Sequence, residues 1–329
     1  MNSKTTTSPW LSVISPIYNG ERYLRTALDS ILLQQDHNIE CIAVDGESTD
    51  ATSAILHDYQ NKLPLKILNR NRETNWVTKT NYALSHASGE YACFLHHDDL
   101  WFKDRLKIMR HLTEQFPQAV LFIHPSTFLD VNGNHVGLWS CPLPSSPTFI
   151  KPELMIERLL IQNFISILGP VFRRDTAIHV GGLDETLWYT ADWDFWLKIS
   201  ACGDTVYYPK PLSGFRIHSS SQTMVRSSYL EDFHSQLERV EQKHLSLCDT
   251  TEDKKNHVRK AAEFSIILNS ALAGASHGVK PKLLRIFITF FLLGPSGWHR
   301  YFRDSRIYER VSTRLRARLI QYTRQKRDK

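Results

Sequence analysis

The chain has little that would staple it covalently or thread it through a membrane. Its 329 residues include five cysteines, Cys41, Cys93, Cys141, Cys202 and Cys248, and no two stand as C-x-x-C. That spacing excludes a zinc ribbon and a dithiol redox motif, and it favours a reducing compartment over a disulfide framework. No stretch reaches the ~20 apolar residues of a membrane span. The nearest, Leu283 to Leu293, is too short and carries Arg285. Met1 to Pro9 is polar and lacks the apolar run of a signal peptide. There is no internal repeat and no recognisable nucleic-acid-binding module.

What is present suits a folded enzyme-sized chain. With 42% hydrophobic and 22% charged residues, the composition is that of a globular protein, long enough for one large domain with an appendage or for two domains. The net charge of +6 is unevenly placed. Thr251 to Lys329 holds 18 Lys/Arg against 6 Asp/Glu, a balance of +12, so the remainder stands at −6. A basic tail on a mildly acidic body points to an anionic contact surface for the tail.

Apolar runs alternate with helical patterns. Leu11–Ser15 reads as a strand, Pro16 and Asn19-Gly20 as a turn, and Leu24, Leu28, Ile31 and Leu32 as a helix face. Ile39–Val44, Leu65–Leu68, Tyr91–Leu95 and Val120–Ile123 read as further strands. Helices are expected after Ser48-Thr49-Asp50, over 76–87 and over Leu106–Phe116. This alternation predicts a mainly parallel sheet flanked by helices, which binds ligands beyond the C-terminal strand ends. Residues 140–152 read as a loop, 153–165 as a helix, 169–182 as turns, Trp188–Ile199 as an aromatic helix, and everything beyond Tyr229 as helical.

The chemistry gathers at that sheet edge. One strand ends in Asp45-Gly46-Glu47-Ser48-Thr49-Asp50 and another in His96-His97-Asp98-Asp99. Paired carboxylates at a strand end are a common way to hold a divalent metal. Strand alternation predicts His96 and Asp98 on one side, His97 and Asp99 on the other. Taken alone, Asn19 reads as a helix cap and Asp45 as a strand end.

Four segments in order are similar to glycosyltransferase family 2. They are Ser12-Val13-Ile14-Ser15-Pro16-Ile17-Tyr18-Asn19-Gly20; Val44 to Asp50; Gly89-Glu90-Tyr91 leading to Asp98-Asp99 and Trp101; and Phe172-Arg173-Arg174 with Gly181-Gly182-Leu183-Asp184 and Asp192-Trp193-Asp194-Phe195-Trp196-Leu197. The resemblance covers about Trp10 to Thr223. It implies a GT-A fold, with a catalytic domain over 1–228 (a nucleotide-binding half about 10–125 and an acceptor half about 126–228) and a helical basic extension over 229–329. It implies an inverting, metal-dependent transferase of the hexosyltransferase class that moves a sugar from a nucleoside-diphosphate donor, a UDP-sugar by family habit, to an acceptor hydroxyl in cell-surface polysaccharide synthesis. Carried over residue by residue, Pro16, Tyr18, Asn19, Glu21, Asp45, Asp98 and Arg216 face the donor. Asp98, His96 and His218 hold Mn2+ or Mg2+, and Asp192 is the catalytic base, with Asp194 as a competitor that could instead cap or brace its helix.

Two departures stand out. His96 replaces the first Asp of the family's Asp-x-Asp, leaving its role open between metal ligand, ribose or diphosphate contact, and an ordinary strand-end histidine. Ala191 stands where relatives often have Glu. These departures keep open a rival reading, a catalytically impaired binding or scaffold protein at the membrane. A nucleotidyltransferase is disfavoured, because Pro16-Ile17-Tyr18-Asn19-Gly20 is no glycine-rich basic loop. Beyond the donor, the expected partners are a glycan or lipid-linked acceptor and an anionic membrane met by the C-terminal segment, where Trp298, Tyr301 and Phe302 interleave with Arg300, Arg303 and Arg306, and Arg310, Arg314, Arg316 and Arg318 follow. The expected location is cytoplasmic, at the inner face of a membrane.

Overall fold

The computed structural model describes residues 8–72, 74–218, 228–313 and 316. Ser219 to Thr223, where the family resemblance ends, and Arg314 and Arg318 of the basic tail lie outside the described residues.

The N-terminal half alternates as its periodicity predicts. Strand β1 (Leu11–Ile17) leads to helix α1 (Leu24–Leu32), β2 (Ile39–Asp45) to α2 (Thr52–Gln60), and β3 (Leu65–Asn69) to α3 (Trp76–Ser85) and β4 (Tyr91–Phe94). These four strands pair in parallel in the order β3-β2-β1-β4. Period-two patterning sorts their side chains into two apolar layers. Leu11, Val13, Ile17, Cys41 and Cys93 pack on one face of the sheet, and Ile14, Ile42, Val44 and Phe94 on the other. Asn75 caps α3 by accepting the Thr78 N–H at 2.9 Å.

Beyond β4 the pattern changes. After a two-residue strand β5 (Leu100–Trp101) and helix α4 (Arg105–Gln115) come β6 (Leu121–Ile123), β7 (Ser126–Leu129), β8 (His135–Trp139), β9 (Thr148–Ile150) and α5 (Pro152–Ile161). Then follow β10 (Val171–Arg173), α6 (Arg174–His179), α7 (Ala191–Ala201), β11 (Thr205–Tyr207) and β12 (Ser213–Arg216). The main sheet has eight strands, β3-β2-β1-β4-β10-β6-β11-β9, with β10 antiparallel to both its neighbours. A second sheet, β5-β12-β7-β8, is built almost wholly from segments without a sequence signal. The stretch 140–152, expected as loop, contributes β9, and the turn-rich 169–182 contributes β10 and α6. β9 and β10, three residues each, are too short to show a period, and cross-strand bonding from distant segments creates them.

Helices α8 (Leu230–His244), α9 (Glu252–Ser276) and α10 (Leu283–Ser305) close the chain. Phe233, Val240, Val258, Ala261 and Phe264 join the same apolar cluster as Leu159 of α5 and Phe195 and Trp196 of α7. The C-terminal helices therefore share the core behind α7. Helix α10 is broken at Gly294, whose φ of +65° and ψ of 176° only glycine adopts easily, just ahead of Pro295.

Candidate active site

Parallel register brings three loops to one edge. Ile17 at the end of β1 pairs with Asp45 at the end of β2, and on the other side Ile14 pairs with Phe94, with the Leu95 N–H donating to the Ile14 carbonyl at 2.9 Å. Residues 18–21, 45–50 and 96–99 thus share the C-terminal edge, where α/β sheets take their ligands.

The first two loops are stitched together. Asn19 adopts a left-handed φ of 49°, accepts the Thr49 N–H on Oδ1 at 2.9 Å and donates its own N–H to Ser48 Oγ at 2.9 Å. Glu21 Oε2 accepts the Ala51 N–H at 3.0 Å, at the entrance to α2. Asn19 therefore does not cap α1. Asn19 and Glu21 hold the second loop, and Pro16 is buried in β1 opposite Val44. Of the residues expected on the donor from this loop, Tyr18 is the one with a freely presented ring, at 40% exposure.

Asp45 is buried and accepts both the N–H and the Oγ–H of Ser48, at 3.2 and 2.5 Å. Beside it lies a cation that sequence reasoning missed. Lys79 of α3 is 4% exposed, its Nζ 3.4 Å from the Ile17 carbonyl and 5.3 Å from the Tyr18 ring. Burial pushes the Lys79 pKa down, and the Asp45 charge opposes that shift. A Cβ on Gly46 would stand 1.9 Å from Nζ, so any side chain at 46 would push the lysine tip aside. The signal in the sequence is slight, a lysine on the flank of α3 shared with Ala83 four residues on.

Residues 96–99 form a turn beyond β4 rather than a continued strand. The expected alternation therefore fails, and the ligand atoms of His96, Asp98 and Asp99 all come within 4.8 Å of one another. Burial lowers the His96 pKa to about 4 despite the nearby Asp98 charge, so its imidazole is neutral with a lone pair to give. His96 Nε2 is buried and has no partner. Burial raises Asp98, but the hydrogen bond from His218 and the neighbouring histidines outweigh it and hold that carboxyl well below the usual range. Asp99 goes the other way, raised by burial and by the Asp98 charge beside it. A neutral nitrogen, one ionised carboxylate and a second carboxyl group beside it, whose ionised form a bound cation would favour, make a donor set that suits a divalent cation such as Mn2+. Asp99 was not among the expected ligands.

His218 Nε2 stands 3.0 Å from Asp98 Oδ2, its ring 5.3 Å from that of Tyr23. Arg216, expected to face the donor, is 4% exposed. Its Nε donates to the Asp98 carbonyl at 2.8 Å, its Nη1 to the Asp130 carbonyl at 3.1 Å, and its guanidinium lies over Tyr23. Its backbone N–H donates to Asp99 Oδ1 at 2.9 Å. Arg216 thus braces the 96–99 turn from behind.

Asp192 occupies the first turn of α7 and is partly buried. Burial raises its pKa to about 6, against the Trp193 N–H on Oδ1 at 2.8 Å and the Asn163 amide on Oδ2 at 3.1 Å. Trp76 bridges the acidic turn and the segment that leads into α7. The Trp76 ring packs edge-on to His96 at 5.4 Å, and its Nε1 donates to the carbonyl of Trp188, four residues before Asp192, at 2.8 Å. Asp194 is wholly buried and held by His244 Nε2 at 2.7 Å, Lys243 at 2.8 Å and Lys198 at 3.0 Å, so it braces α7 against α8.

Comparison with known proteins agrees with this architecture. A family model described as Glycosyl transferase family 2 matches residues 12–174. An uncharacterised glycosyltransferase of Rickettsia typhi is 27% identical over 241 residues, 70% of this chain and 71% of the relative. One from Rickettsia prowazekii is 28% identical over 227 residues, 69% and 70%. Among solved structures, residues 1–349 of Staphylococcus aureus TarS with UDP-GlcNAc superpose with a TM-score of 0.62 at 19% identity, covering 96% of this chain and 91% of that one. A mannosyltransferase from Pyrobaculum calidifontis with GDP-Man and Mn2+ gives 0.53 at 16%, covering 95% and 88%. At these identities the structural likeness speaks to the fold.

Proposed function

We propose that the chain, whose residues 12–174 match the family model described as Glycosyl transferase family 2, is an inverting hexosyltransferase acting on a UDP-sugar, with a glycan or lipid-linked acceptor of cell-surface polysaccharide synthesis. The observation that carries the reading is a partly buried carboxylate, Asp192, together with a cation-ready turn, His96-Asp98-Asp99, with Trp76 contacting both His96 and the backbone of Trp188 four residues before that carboxylate.

Each group has a part suited to its surroundings. Asp45 accepts from the ring N–H of a uracil, Lys79 donates to a ring carbonyl, and Tyr18 lies against the base; a carboxylate and an ammonium side by side match the donor–acceptor edge of that ring. The UDP-GlcNAc complex of TarS supports this choice of nucleotide. His96, Asp98 and Asp99 would hold a divalent cation, which supplies positive charge at the diphosphate. The acceptor hydroxyl attacks the anomeric carbon, its proton passes to the Asp192 carboxylate, and the bond from that carbon to the diphosphate oxygen breaks, its electron pair leaving with the nucleotide.

A panel of nucleotide sugars tested for thermal stabilisation, with and without Mn2+, checks the donor. A ligand at 100 times its Kd stabilises by about 2.7 kcal/mol. UDP-sugars are expected to raise Tm, more with Mn2+ than without, and GDP-sugars are not. Stabilisation by no nucleotide sugar would reject the reading.

A further inference from the structure

The first half of α10 is apolar apart from Arg285 and Thr289, yet only one side of it is covered. Ile286, Phe290 and Leu293 turn inward; Phe290 packs 5.6 Å from Phe264 and stacks on Trp298 at 5.1 Å. Opposite them Leu283, Leu284, Phe287, Ile288, Phe291 and Leu292 are each 51 to 74% exposed. Their spacing of one and four residues makes a continuous stripe along the helix. Phe302 and Tyr308, past the break at Gly294, are exposed as well, at 53 and 82%. Six large apolar side chains in one exposed row are not ordinary surface and imply cover.

The cover is not a bilayer crossing. The stretch 283–293 spans only about 16 Å at 1.5 Å per residue, against a hydrocarbon core of about 30 Å. Among the described residues no helix is long and apolar enough to span. Charge selects the occupant. Between Glu263 and Asp304 stand Lys280, Lys282, Arg285, Arg300 and Arg303, with no Asp or Glu. Lys280, Lys282 and Arg285 are exposed, the first two just ahead of the stripe and Arg285 at its edge. A second copy docked on the stripe would offer these cations no acidic residue from its own 264–303, which disfavours a homodimer. An apolar row bordered by cations fits an interface of acyl chains beneath anionic headgroups.

We propose that residues 283–292 lie in the surface of an anionic lipid bilayer, with Leu284, Phe287, Ile288 and Phe291 inserted at the acyl boundary and Lys280, Lys282 and Arg285 among the phosphates. The Gly294–Pro295 break ends the inserted segment. This surface stands apart from the sugar chemistry, and its test reads lipid binding rather than transfer.

The test is co-sedimentation of the full chain with phosphatidylcholine vesicles, with and without phosphatidylglycerol. Binding is expected with phosphatidylglycerol, weakening as salt rises. F287E/F291E alters exposed side chains, so the fold is expected to survive, checked by circular dichroism, while binding falls at least tenfold. R285E is expected to weaken binding about fivefold or more at low salt, the effect of roughly one cation near the surface. The proposal is overturned if the chain stays in the supernatant with anionic vesicles at low salt, if F287E/F291E binds as well as the parent, or if light scattering shows a dimer that the double variant abolishes while lipid binding is absent.

Discussion

Replacing Asp192 by Asn tests the proposed base with little change in shape. The amide keeps the size of the carboxylate and loses its capacity to take a proton. General-base help is worth ~10²–10⁴-fold, which corresponds to about 2.7–5.4 kcal/mol of barrier. The expected result is a fall of that size in kcat with the Kd for UDP unchanged, because the groups proposed for the nucleotide lie on other loops. The pH dependence adds a second reading. With a pKa pushed up to about 6 by burial, the carboxylate is about one-tenth ionised at pH 5 and about nine-tenths at pH 7, so kcat/KM in the parent should climb roughly tenfold across that interval. The Asn variant should lose that limb. Steady-state transfer, scored by released UDP with the donor identified in the thermal screen, measures both. An Asn variant that turns over at the parent rate, or one that keeps the acid limb, refutes the assignment.

Other outcomes follow from the same geometry. Asn163→Ala removes a hydrogen bond to the ionised form of Asp192, so the limb should move to higher pH; a profile that stays in place would leave Asn163 without that influence. Asp98→Ala should abolish transfer together with any Mn2+-induced rise in Tm, and a variant still stabilised by Mn2+ would put the cation elsewhere. Gly46→Ala drives a methyl into Lys79 Nζ, so UDP affinity is expected to fall at least tenfold, read by calorimetry; unchanged affinity would detach Lys79 from the nucleotide. Asp194→Ala takes from partly buried Lys198 and buried His244 the carboxylate that both contact and should cost about 3 kcal/mol in denaturant unfolding. Burial raises Asp194, but the His244, Lys243 and Lys198 contacts outweigh it and leave its folded pKa below the unfolded one. Its contribution is therefore complete above the unfolded value of about 3.9 and is lost as pH falls toward the folded value. Parent and Asp194→Ala stabilities should converge in acid, and a gap that widens there would contradict the ion-pair account.

The halves of the chain differ in how far their sequence alone describes them. β1, β2 and β4 were readable because four to seven residues of alternating or continuous apolar character carry their own period, and the helices between them carry theirs. β9, β10 and β11 have three residues each, and β5 has two. Their strand character comes from partners tens of residues away, so these short strands, the antiparallel β10 among them, had no local signal. The acidic turn shows the same limit. His96, Asp98 and Asp99 were legible as a cluster, but their grouping was not, because the chain turns after Phe94 where alternation assumed it would continue.

By itself the sequence determined the alternating strand–helix order, the edge on which Asp45 and Asp98 would stand, and Asp192 at the head of an aromatic helix. These are encoded in neighbouring residues, through periodicity, turn chemistry and short motifs. The tertiary structure alone decided that Lys79 lies over Gly46 within the influence of Asp45, that Asn163 bonds Asp192, that Arg216 braces the 96–99 turn, and that one face of α10 is left open. Burial, pKa and pairing at those positions arise from contacts between segments far apart in the chain, and no local pattern records which segments will meet.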